Sequence, residues 1–189
     1  MQRWECALQH VNGASWPWPR LERRLATRYP VSVERDEIVS VLKALEEEGV
    51  QYVLIGAAAM GFHGLVRATE ALDLLIHPTA ENVEGLKRAF RRAWDNDPNV
   101  EAIAAADLLG EYPAVRYYPP SGDLYFDVLT RLGEMASFAT VESELKEVDG
   151  VPVRVATPLA LYRLKKGTVR PLHQHDAEML RHAFNVGEE

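Results

Sequence analysis

"IGAAAMGFHGLVRATEALDLLI", residues 55–76, decides the fold expected for this chain. It begins at the end of a short apolar run, 51–56, and finishes in a second run, 71–76, whose side chains alternate like those of a strand. The large apolar residues at even positions share one face of this strand, and Ala71 and Asp73 share the other. Asp73 is therefore a carboxylate in an apolar strand, and its same-face neighbour is an alanine.

Bulk composition predicts one soluble globular domain with a sizeable core. The chain has 189 residues, of which 47% are hydrophobic and 26% charged. A net charge of −7 argues against a surface-wide affinity for nucleic acid, although a local basic patch stays compatible with it. The apolar runs are too short to span a membrane, and the amino terminus lacks the apolar core of a signal peptide. The single cysteine, Cys6, excludes an internal disulfide, and we expect a cytoplasmic protein.

Four helices are predicted from capping residues and apolar spacing. The first runs over 32–49, with Ser32 as N-cap and Gly49 as its stop. The others are a helix over 79–94 capped by Thr79, one opened by Thr157-Pro158, and one over 173–184.

Two hairpins are predicted from turn residues between β-rich runs. "PAVRYY" and "LYFDVLT" flank the turn signal "PPSGD", and "KEVDGVPVRVAT" turns at Asp149-Gly150. The fold class is therefore α+β, or mixed α/β, with a partly antiparallel mixed sheet and flanking helices. We divide the chain into an arm or extension at 1–33 with a short helix near 21–28, a core at 34–156 and a helical segment at 157–189.

Two aspartates, Asp73 and Asp127, each lie between large apolar residues of a predicted strand. A carboxylate in that position must be solvated, hydrogen-bonded or metal-bound. An edge strand with a wet face explains one such residue, but two of them favour a site. Because two lone acids on apolar strands need a shared polar cleft, we expect the strands at 71–76 and 123–129 to be neighbours with Asp73 and Asp127 converging. Carboxylates at i and i+2 project from one face ~6–7 Å apart, and with a third acid they suit the Mg²⁺ ions of phosphoryl or nucleotidyl transfer. Positions 73 and 127 are acidic, and position 71 is vacant.

The quoted stretch resembles the signature of minimal nucleotidyltransferases of the DNA polymerase β superfamily, and more closely the AbiEii-type toxin nucleotidyltransferases. The family pattern is a strand ending in Gly-Gly or Gly-Ser, a short helix, His-Gly, and then Arg-x-Thr-x-Asp-x-Asp. The chain matches it at Gly56, His63, Gly64, Arg67, Thr69 and Asp73. "YFDVL" resembles the third acidic strand, and "VATPLALYRLKKGTVRPLHQHDAEML" resembles the carboxy-terminal segment. The resemblance extends over roughly residues 34–184.

The resemblance implies an Mg²⁺-dependent enzyme that moves an NMP from an NTP to an RNA, such as tRNA, or to a protein hydroxyl. It implies the toxin of a toxin–antitoxin or phage-defence pair, with an antitoxin protein as partner; relatives also include small antibiotic nucleotidyltransferases. The implied metal ligands are Asp73 and Asp127, with Lys165 or Lys166 as a catalytic cation. Adjacent helical positions point ~100° apart, so we expect one of these lysines to face the cleft and the other to face solvent. The implied nucleotide-binding positions are Gly56, Ala57, Arg67, Thr69, Arg170 and Asp176.

Two positions depart from the family pattern. Ala57 replaces the usual Gly or Ser, and Ala71 replaces the first metal-binding Asp. Glu70 does not substitute for the missing acid, because it points to the other face of the strand. Our hypothesis is that Ala71 is an engineered knock-out, which predicts an open, acid-sized gap on the strand face. The alternative is a natural pseudoenzyme, in which a larger neighbour has closed that gap and which binds nucleotide, a partner as an antitoxin-like module, or nothing.

Overall fold

The computed structural model describes residues 31–110, 113–121 and 124–187. The predicted helix near 21–28 and nearly all of the arm at 1–33 lie outside the described residues. In the part of the chain that is described, no helix is both long and apolar enough to cross a membrane.

The described residues form six α-helices, eight β-strands and one 3₁₀ turn, at Pro98–Ala102. The helices are α1 (Val31–Glu47), α2 (Gly56–Phe62), α3 (Ala80–Ala93), α4 (Ala105–Leu108), α5 (Pro158–Lys166) and α6 (Pro171–Phe184). The strands are β1 (Tyr52–Ile55), β2 (Ala71–Ile76), β3 (Ala114–Tyr117), β4 (Tyr125–Leu129), β5 (Arg131–Leu132), β6 (Ala136–Ser137), β7 (Ser143–Val148) and β8 (Val151–Ala156).

Six of these strands form one mixed sheet, in the order β3-β4-β2-β1-β8-β7. The pairs β2–β4 and β1–β8 are parallel, and the other neighbours are antiparallel. Parallel neighbours need a crossover, and α3 lies in the connection that carries the chain from β2 to β4. The predicted α+β class, both hairpins and the adjacency of the two acidic strands are thereby confirmed.

Helix ends agree with the sequence at two caps and differ at two starts. The hydroxyls of Thr79 and Thr157 accept the backbone N–H groups of the third residues of α3 and α5. Helix α1 begins at Val31, so Ser32 lies inside the helix and the prediction that it is the N-cap is wrong. Helix α6 begins at Pro171 instead of residue 173, because the fixed φ of proline suits a first helical turn.

Buried apolar residues lie on both faces of the sheet. An aromatic cluster anchors the core on the face under α3, with Phe90 of α3 lying 5.0 Å from Phe126 and 4.9 Å from Tyr117 between ring centroids. Trp94 packs on the same rings. Because strand side chains alternate, placing Phe126 in this core turns Asp127 to the opposite face of the sheet.

Candidate active site

The two strand aspartates are brought together by the register of β2 and β4. Asp73 lies directly opposite Asp127 in the parallel pair, so both carboxylates share the face turned away from the aromatic core. Burial, and then the charge of Asp127, raise the pKa of Asp73 to about 6, with Lys165, Arg116 and Arg67 opposing the rise. The adjacency predicted from sequence is confirmed, and this face offers a partly buried acid pair.

Asp127 is held by an arginine that sequence reasoning missed. Arg116 lies opposite it on β3 and donates from Nε to Oδ1 at 2.6 Å and from NH2 to Oδ2 at 2.8 Å. Its guanidinium carbon lies 4.3 Å from the ring centroid of Tyr125. Burial lowers the pKa of Arg116, but the bonds to Asp127 and Tyr118 raise it by more, so the guanidinium stays charged. The hairpin sequence contained the signal for this ion pair, because "VRYY" and "YFDV" pair across the turn.

Position 71 lies beside a larger residue of the neighbouring strand. Ala71 is 8% exposed and pairs in register with Tyr125. The Thr69 hydroxyl accepts the Ala71 N–H and donates to its carbonyl, each at 3.2 Å. Ala71 therefore has little exposed surface, and its engineered and natural origins both stay hypotheses.

Gly56 lets the Asp73 carboxylate lie against the backbone where β1 passes into α2. Its φ is +71°, in the region that side chains disfavour, and a Cβ added there would collide with the Asp73 carboxylate. Ala57, the next residue, is buried. The space that a Cβ would fill at Gly56 is therefore occupied by the Asp73 carboxylate.

Gly56→Ala is expected to destabilise the fold more than Gly49→Ala does. Gly49 has a similar φ of +66° but open space around its Cα, so its substitution measures the backbone cost alone, about 1–2 kcal/mol. Gly56→Ala adds the collision with Asp73. Urea unfolding of both variants measures this difference. Equal losses of unfolding free energy would show that Asp73 moves aside without cost.

A second cluster joins the carboxy-terminal helices to the loop before β2. Lys165 of α5, which is 4% exposed, donates to Oδ2 of Asp176 on α6 at 2.8 Å. Arg67 Nε lies 3.2 Å from Oδ1 of the same carboxylate. Asp176 is 0% exposed, and its predicted contact with a nucleotide stays a prediction. In this structure its carboxylate holds Lys165 and Arg67 in place.

The two adjacent lysines point in different directions. Lys165 faces inward toward Asp176, and Lys166 is exposed, with Nζ 5.3 Å from the ring centroid of Tyr162. The prediction that one lysine faces the cleft and the other faces solvent is confirmed. Lys165, and not Lys166, therefore belongs to the cluster around Asp176, and its charge also acts on Asp73.

Two other predicted positions lie near this cluster. Arg170 immediately precedes α6 and is half-buried. A His63 ring nitrogen lies 2.8 Å from the carbonyl oxygen of Ala156, which ties the end of α2 to the end of β8. This contact accounts for His63 structurally.

His173 is affected by burial and by the positive charge of this region. Burial, and then the charges of Lys165 and Arg170, lower the pKa of His173 to about 4. Because the unfolded chain takes up this proton near pH 6.5 and the fold resists it, His173 should reduce stability progressively as pH falls from 6.5 to 4. An NMR titration of the ring should give a midpoint near 4, and His173→Gln should lose this part of the pH dependence. A midpoint near 6.5 would show that neither burial nor the nearby cations lower the pKa of the ring.

The acid pair as it stands does not fit a two-metal centre. Such a centre needs several carboxylate oxygens, and in the described parts of the chain no three His, Cys, Asp or Glu side chains are grouped to hold a metal. Two acids face the cleft, Arg116 occupies both oxygens of one of them, and position 71 carries a methyl group. The Mg²⁺ expected from the sequence therefore has an incomplete ligand set here.

Comparison with known proteins gives similarity in fold only. Neither a family model nor a curated protein matches the chain. Similar solved structures include the solution structure of the antibiotic-resistance factor ANT(2″)-Ia, with a TM-score of 0.48 and 16% identity, covering 80% of this chain and 84% of that one. The crystal structure of ANT(2″)-Ia with adenylyl-2″-tobramycin has a TM-score of 0.46 and 16% identity, covering 80% and 89%. Nothing about the chemistry of this chain follows from similarity at that level.

Proposed function

We propose that this cleft is the nucleotidyl-transfer site of a polymerase-β-type nucleotidyltransferase, in a form that does not turn over. The observation that carries the proposal is the in-register pair of Asp73 and Asp127 on adjacent parallel strands, beside the Gly56 turn. Lone acids on apolar strands are costly to bury, and a shared polar cleft reduces that cost. Acids held together in such a cleft are candidates for a functional site.

Cations around the acid pair suit the polyphosphate of an NTP. Arg67, Arg116 and Lys165 all act on Asp73, so three positively charged side chains lie near the acid pair. Arginine forks and lysine ammonium groups are the usual partners of phosphate oxygens. In this proposal Gly56 admits a phosphate to the backbone, and Arg67, Lys165 and Arg170 balance its charge.

A magnesium site belongs to the proposal only for a chain with an acid at position 71. With Asp there, three carboxylates would supply the oxygen ligands that Mg²⁺ prefers, and the metal would stabilise charge on the transferring phosphate. The family resemblance adds the setting that we propose: a cytoplasmic toxin of a toxin–antitoxin or phage-defence pair, with an RNA or protein acceptor and an antitoxin partner.

A second candidate function is a non-catalytic, nucleotide- or partner-binding module. Two observations favour it: the covered position of Ala71 beside Tyr125, and the engagement of both Asp127 oxygens by Arg116. A natural pseudoenzyme of this kind would retain the fold and the cationic cluster. The two candidates differ in whether an acid at position 71 produces transfer.

The chain with Ala71 is expected to bind Mg²⁺–NTP weakly and to transfer no label. One metal-ligand position is missing, and cations that would face the phosphates already hold carboxylates. Titration calorimetry with each of the four NTPs, and incubation of labelled NTPs with total RNA, protein extract or an aminoglycoside, check both statements. Tight Mg²⁺-dependent binding with ready label transfer by this form would contradict the proposed loss of function; the same assays on Ala71→Asp test the proposed function itself.

A further inference from the structure

Arg116 lies where a metal cation would otherwise be needed to neutralise the carboxylate of Asp127. It lies in register with Asp127 on the neighbouring strand, and its two bonds, 2.6 and 2.8 Å long, engage both carboxylate oxygens. The guanidinium also lies over Tyr125, whose own register partner is Ala71. One side chain thus spans the strand face from Asp127 to the neighbour of the vacant position.

We propose that Arg116 is the resident cation of this cleft and that it excludes divalent metal from Asp127. A bidentate guanidinium satisfies a carboxylate in the way a metal would, and in a partly buried site its charge repels a second cation at short range. The Tyr125 ring fixes the guanidinium plane, because arginine stacks favourably on aromatic faces. An ordinary flexible surface pair has neither feature.

The charge balance explains why Arg116 and Ala71 suit each other. With an acid at 71, three carboxylates would face one guanidinium from β3, and the excess negative charge would attract a divalent ion. With Ala71, Arg116 neutralises Asp127 and only Asp73 remains, already influenced by Arg67 and Lys165. The cleft of this chain is thereby satisfied without metal. The inference rests on the proposed function in one respect: the proposed function identifies the ligand that Arg116 would bind without metal as a nucleotide phosphate.

Mn²⁺ binding tests this proposal without any nucleotide or acceptor. The free-Mn²⁺ EPR signal is measured against the parent chain, Ala71→Asp, Arg116→Gln and the double variant A71D/R116Q. The parent should show no saturable binding, and the double variant should bind Mn²⁺ at least about tenfold more tightly than A71D alone, because the competing charge is gone. A71D/R92Q is the matched control: it removes a guanidinium that pairs with Glu47 and Glu48 on the exposed side of α3.

The outcomes separate the role of Arg116 from that of the site. Equal Mn²⁺ affinities for A71D and A71D/R116Q, or saturable binding by the parent that Arg116→Gln leaves unchanged, overturn the proposal. An equal gain from A71D/R92Q would show a net-charge effect and would overturn it too. If A71D/R116Q does not fold by circular dichroism, A71D/R116K decides, because lysine does not form the bidentate pair and should leave Mn²⁺ affinity above that of A71D. Mn²⁺ affinities in the expected order without label transfer would reject the proposed function alone.

Discussion

Lys165→Met is expected to lower the free energy of unfolding by about 3–5 kcal/mol, and Lys166→Met by less than about 0.5 kcal/mol. Lys165 is buried and donates to Asp176, which has no exposed surface, so its removal leaves a buried carboxylate with Arg67 as its remaining charged neighbour in the cluster. Lys166 is exposed on the same helix. Urea unfolding of the two variants measures the difference directly.

The double variant K165M/D176L separates stability from function. Replacing both members of a buried pair by apolar residues is often neutral or stabilising, so most of the loss in K165M should be recovered. Arg67 keeps access to solvent, since a quarter of its side chain is exposed. In an Ala71→Asp background, NTP use should stay impaired in K165M/D176L if the Lys165 ammonium meets phosphate. Recovery of both stability and NTP use would restrict Lys165 to a structural role, and small equal effects of both lysine variants would contradict the burial argument.

The fold was predictable wherever local pattern and turn chemistry agree. The strand at 71–76 follows from alternation, α3 and α5 follow from their threonine caps, and both hairpins follow from turn residues. The meeting of Asp73 and Asp127 followed from the physical cost of two lone acids. The strand, the helices and the hairpins depend on residues that are close in sequence. The meeting of the two aspartates depends on their shared need for a polar cleft.

The rest of the site depends on register and helix packing, which sequence patterns leave open. Arg116 meets Asp127 only because the β3–β4 hairpin pairs in one register; a shift by one residue would turn it to the other face. Asp176 is buried because α6 packs against α5, and the sequence alone suggested a nucleotide contact for it. Spacing established that Lys165 and Lys166 differ in direction, and packing determined which of them faces inward.

Ala71→Asp is expected to turn a silent protein into one that transfers label from an NTP, at raised Mg²⁺ concentration. The substitution completes three carboxylates on one face of the sheet, and metal stabilisation of transferring phosphate contributes several kcal/mol, or about a thousandfold in rate. One feature of the structure opposes it: Mg²⁺ must compete with Arg116 for both oxygens of Asp127.

The measurement is label transfer from each of the four NTPs to total RNA, to protein and to an aminoglycoside over a range of Mg²⁺. The matched control is A71D/D73N, which keeps the new acid and the side-chain size at 73 but removes the second carboxylate; it should be as silent as the parent. Expressed without a partner, the Ala71→Asp protein should slow growth, whereas the parent should not. An Ala71→Asp protein that folds like the parent and stays inert toward every NTP and acceptor, even at the highest Mg²⁺, would reject the toxin proposal. The binding module would then be the better account. An acid at position 71 would not have reactivated the cleft, and Arg116 already neutralises Asp127. Such a cleft is suited to binding a ligand and not to transforming it.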